Sequence, residues 1–139
     1  MSVNAARASA VLVSLSGLAL LAASLLLDWY DFADGPANLW QSLSVVDLFV
    51  GASIFCALLA GPAALFAERK GLGVTLATVS ANVSLVALVL LAWRAADPPA
   101  GSIERGDGVW VGLALQALIV IASFAAMGGG SPPRLSSAR

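Results

Sequence analysis

Apolar and polar positions alternate along this chain in long blocks: four apolar stretches, at about 8–28, 42–67, 72–93 and 108–127, are separated by three short polar connectors. Each stretch reaches the roughly 20 apolar residues a helix needs to cross a hydrocarbon layer at about 1.5 Å per residue. Only Asp47 places a charge in the interior of a block. The connectors at 28–41, 68–71 and 94–107 carry the Gly, Pro and charged residues that break helices and prefer water. The pattern predicts an all-α fold, a four-helix transmembrane bundle forming one integral membrane domain over 1–139, with a flexible tail at 128–139. Arg7 and the small residues of the first block also occur in cleavable signals. Its apolar core is longer than the roughly 7–15 residues of such a signal and ends on Trp29-Tyr30, so it reads as a retained helix.

Basic residues set the expected orientation. Arg7, Arg69, Lys70, Arg134 and Arg139 fall on one side of the predicted spans, Arg94 and Arg105 on the other, which places both termini in the cytoplasm. The first connector agrees, with Asp28, Asp31 and Asp34 and no cation, and reads as an outer acidic loop. Trp29, Trp40, Trp93 and Trp110 all lie at the outer helix ends, where an indole keeps its ring in the acyl boundary and its N–H wet. They form a one-sided aromatic belt.

Lipid is as apolar as leucine, so helices in it associate through small residues and hydrogen bonds. Ala10, Ser14, Gly17, Leu21, Ser24 and Asp28 mark one face of the first span, and Gly108, Gly112, Gln116 and Ser123 one face of the fourth. Gly71, Thr75, Thr78 and Asn82 mark a third stripe. All three are expected to be seams inside the bundle, with a dimer face as the lesser alternative.

Counted inward from Trp40, Asp47 lies about 10 Å below the outer boundary, and Gln116, counted from Trp110, about 9 Å. Matched depth makes Gln116 the expected partner of Asp47, with Arg94 a second candidate able to bend down from the end of the third span. Asp47, Gln116, Arg94 and Asn82 together form a candidate intramembrane polar cluster. Such a carboxylate either fixes helix register or moves a cation or proton. The inner half of the spans offers only Thr75, Thr78, Asn82 and Ser123, a thin path for an ion.

The remaining chemistry is sparse. Asp28, Asp31 and Asp34, spaced by three, could converge on a hard cation, but they lack the ligand spacing of a calcium loop and read as solvated. No metal or cofactor is expected. Asn82-Val83-Ser84 matches a glycosylation acceptor yet lies mid-span, and Gly71-Leu72-Gly73 does not complete a phosphate loop. "LLDW" at 26–29 and "LLAW" at 90–93 could record a duplicated hairpin, although Leu and Trp are common at such boundaries. The chain is 60% hydrophobic and 11% charged, too oily for a water-soluble domain of its length. It has no histidine, the commonest general base, and its single cysteine, Cys56, excludes an internal disulfide. Net charge is −1 with no basic block, which argues against nucleic acid.

The segments "LLLDWYDF", "LWQSLSVVDLF" and "DPP" resemble those of small four-span membrane proteins of actinobacteria, over nearly the whole chain. The resemblance implies a bacterial plasma membrane and four spans, and nothing catalytic. The expected function is that of a non-enzymatic accessory or interaction subunit of a membrane complex, bound to a protein partner or to further copies of itself. The alternative is a small transporter or ion- or proton-conducting oligomer working through Asp47.

Overall fold

The computed structural model describes residues 3–42, 44–66 and 70–128. Four helices dominate it: α1 (Val3–Leu26), α2 (Val45–Phe66), α3 (Lys70–Ala96) and α4 (Asp107–Gly128). All four are long and apolar enough to cross a membrane. They run up and down in a ring, with α1 against α2 and α4, and α3 against α2 and α4. α2 and α4 therefore face each other across a diagonal. Residues 67–69 and 129–139, which include Arg69, Arg134 and Arg139 and most of the expected tail, lie outside the described residues.

Helix ends follow local chemistry. α3 continues past Trp93 to Ala96 and stops where Asp97 precedes Pro98, because a residue before proline is driven out of the helical region. Its last carbonyls are met by a side chain: Arg105 donates through Nε to Ala95 O and through a terminal nitrogen to Ala96 O at 3.3 Å.

The all-helical expectation missed a small sheet. β1 (Tyr30–Phe32), β2 (Gly35–Ala37) and β3 (Ser102–Arg105) form an antiparallel sheet in the order β2-β1-β3. It closes the end of the bundle where α1 and α3 finish and α2 and α4 begin. Phe32 pairs with Gly35 around the tight Ala33-Asp34 turn, and Gly35 takes a φ of 125° that a side chain would oppose. Across to β3, Tyr30 faces Arg105, Asp31 faces Glu104 and Phe32 faces Ser102, with a bulge at Ile103. The 3₁₀ turn Leu39–Ser42 leads into α2.

Close packing of the helices uses the predicted stripe of α1. Added at Gly17, a Cβ would come within 2.8 Å of the Ala57 Cβ, so α1 and α2 touch there. One turn away, Pro62 lacks the N–H that would serve Leu58 O. Ser14 of α1 mends the gap: its hydroxyl lies 2.8 Å from Ala57 O and 3.3 Å from Leu58 O, and accepts from Gly61 N at 2.7 Å.

Candidate functional site

Asp47 answers to its own helix end. The helix begins at Val45, so Ser44 is the capping residue and Asp47 belongs to the first turn. Ser44 N donates to Asp47 Oδ2 at 2.8 Å, and the Ser44 hydroxyl to Oδ1 at 3.4 Å. This is the acid's half of a capping box, in which an acid near the start of a helix serves an orphan N–H and complements the dipole; Asp47 N itself donates to Ser44 O at 3.1 Å rather than to the hydroxyl. The expected Asp47–Gln116 pair is therefore absent. Asp47 lies six positions, about 9 Å, nearer the sheet than the residue Gln116 binds.

Gln116 is instead at the middle of the bundle, roughly halfway along α4 and fully buried. Its amide nitrogen reaches across the diagonal to Ser53 Oγ of α2 at 2.7 Å and to Ser84 O of α3 at 3.4 Å. The Ser53 and Ser84 hydroxyls share a bond of 2.7 Å. A second serine pair, Ser80 and Ser123, joins α3 to α4 at 3.0 Å. These groups are uncharged and hydrogen-bonded mainly to one another, so they fix helix register. Gln116 Oε1 and Ser16 Oγ are buried without a partner among the described residues.

The other members of the candidate cluster disperse. Asn82 is exposed on the outward face of α3 and donates to Thr78 O of its own helix at 2.8 Å. Arg94 is half-buried under the sheet, its guanidinium 5.8 Å from the Trp93 ring centroid. Its carbonyl accepts a 3.3 Å bond from the Tyr30 hydroxyl. Burial pushes the Tyr30 hydroxyl above its ordinary value of 10.0, against the pull of the Arg94 and Arg105 charges.

The aromatic belt divides in two. Trp93 and Trp110 are about half exposed, at 52% and 57%. Trp29 is completely buried: the chain turns back after α1, and the indole N–H donates to Ala23 O at 2.9 Å. Its ring lies over Gly108 and Gly112, where any Cβ would overlap it. The glycines of α4 thus admit a tryptophan rather than a helix backbone. Trp40 is half-buried against Gly51 and donates to Ser24 Oγ at 2.8 Å. Trp29 and Trp93 occupy unlike environments, so the "LLDW" and "LLAW" segments are not structural equivalents.

Asp28 is exposed beside the sheet, Asp31 stands on β1 and Asp34 lies in the hairpin turn. The strand separates them, and no group of three acids, histidines or cysteines among the described residues is placed to hold a metal. An open cleft of about 340 Å³ lies on the outer surface of the sheet, lined by Asp31, Phe32, Gly35, Pro36, Ile103 and Glu104. Sequence reasoning missed this feature, because its two halves come from different connectors. Ile103 in its lining is 69% exposed, and Asp31 and Glu104 stand directly opposite each other, an unfavourable like-charge cross-strand pair.

No protein-family model, curated protein or solved structure matches the chain.

Proposed function

We propose that the protein is a non-enzymatic integral membrane protein of a bacterial plasma membrane, an accessory subunit that holds a basic partner segment on its sheet. Both termini are cytoplasmic in this reading, and the sheet faces outward. The distribution of Lys and Arg supports that orientation, since Arg7 and Lys70 stand at the end remote from the sheet.

The observation that carries the reading is the cleft itself. It joins the half-buried Phe32 and the exposed Ile103 to two carboxylates, with no cation in its lining among the described residues. Arg105, the nearest cation in sequence, is committed to the carbonyls of α3. The surface of the sheet end is left acidic through the exposed Asp28, Asp34, Asp97, Glu104 and Asp107. A lysine or arginine from a partner would relieve the Asp31–Glu104 repulsion while its apolar neighbours cover Ile103. Transport through Asp47 has less support, because Ser44 occupies both oxygens of that carboxylate.

Purification in mild detergent with mass spectrometry tests the reading through one variant. Glu104→Lys places opposite charges across the two strands and should stabilise the sheet by about 0.2–1 kcal/mol. The same change should release a companion chain that stays with the wild type. Failure to find a companion on the wild type, or its retention by the more stable variant, would count against the proposal.

A further inference from the structure

We infer that two copies of the chain associate side by side through the outward face of α3, with Asn82 of each copy bonding Asn82 of the other across a two-fold axis. The inference requires that α3 cross the bilayer, as proposed above, and is independent of any partner on the sheet.

Ser84 points into the bundle, and Asn82, two positions earlier, is turned about 200° away from it. Thr75, Val79, Asn82, Val86, Val89 and Trp93 are all exposed, at steps of four and three. That is the spacing of a seam between two helices crossing at a shallow left-handed angle. The face carries no charge, and Thr75 satisfies its hydroxyl on Gly71 O of its own helix at 2.8 Å.

Asn82 is the exception. One amide N–H bonds Thr78 O, which leaves the second N–H and Oδ1 without a partner among the described residues, at about the middle of α3. Water cannot serve them at that depth, and an unserved amide in hydrocarbon is costly. A second copy supplies what is missing. Copies inserted the same way put Asn82 at the same depth, and an amide is both donor and acceptor. Two N–H···O bonds then form across the axis in an isologous contact. An unrelated helix would need its own polar side chain at that depth.

The test uses the full chain in liposomes, in a Cys56→Ala background, with single cysteines on different faces. Val89→Cys should form a disulfide-linked dimer under mild oxidation. Phe55→Cys on α2 and Ile121→Cys on α4, which are equally exposed, should not. Subunit counting by photobleaching over a range of protein-to-lipid ratios gives the dimerisation constant. Asn82→Leu should weaken it roughly 3- to 30-fold while leaving the helical circular dichroism unchanged. Three results would each overturn the inference: a wild-type chain that stays single at every ratio, equal cross-linking at all three faces, or a dimer indifferent to Asn82→Leu. A wild type absent from the membrane fraction would instead refute the insertion on which the inference depends.

Discussion

At Tyr30 one hydroxyl ties the sheet to the bundle. It is the only tyrosine of the chain, it is buried, and it donates to the last turn of α3 through Arg94 O. Burial raises its ionisation above 10.0, so on alkaline titration the unfolded chain loses this proton first. Stability from this group is complete below pH 10.0 and falls as the pH climbs from there through the higher folded-state value. Detergent-solubilised protein should therefore lose stability to denaturant above that pH, and Tyr30→Phe should remove this component of the slope. A wild-type slope identical to that of Tyr30→Phe would contradict the assignment. Asp47 teaches a different lesson at the same scale. The signature Ser44-Val45-Val46-Asp47 ahead of an apolar run is legible as a capping box. Counting depth from Trp40 hid it, because Trp40 belongs to the preceding 3₁₀ turn and α2 starts only at Val45.

Among the elements, the helices were legible because each apolar block is long and its breakers are strong. The seams were legible in part. Periodicity says which residues share a helix face, and does not say which way that face points. The stripes of α1 and α4 turn inward, whereas the Thr75-to-Asn82 stripe of α3 turns outward, and Ser80 and Ser84 take its place inside. The sheet was not legible, because its strands have three or four residues and β1 finds β3 only after two intervening helices have folded back. The Asp34-Gly35 dipeptide, at the junction of the Ala33-Asp34 turn and β2, was its one local signal. The α1–α2 contact gives a prediction at this scale. Ser14→Ala removes the hydroxyl that mends α2 at Pro62 and should cost about 1–2 kcal/mol in reversible unfolding from mixed micelles. Pro62→Ala returns an N–H to Leu58 O, so the cost of Ser14→Ala should shrink in that background. An unchanged cost would mean that the hydroxyl does not act through the break.

In the whole molecule a closed bundle, whose bonds at mid-height are made by uncharged groups, meets a polar lid. Gln116, Ser53 and Ser84 bind α2, α3 and α4 at mid-height, Ser14 binds α1 to α2, and the sheet fastens the connector after α1 to the connector after α3. Polarity that the bundle does not use faces out in two places, the acidic cleft and Asn82. The accessory reading depends on four spans with the sheet on the outer side, whereas the α3 contact needs only that α3 cross the bilayer. Labelling of intact cells with a membrane-impermeant maleimide tests that arrangement most directly, using Asp34→Cys and Asn4→Cys separately in a Cys56→Ala background. Asp34→Cys should react in intact cells, and Asn4→Cys only after permeabilisation. The reverse pattern, or both positions reacting from one side, would contradict that arrangement.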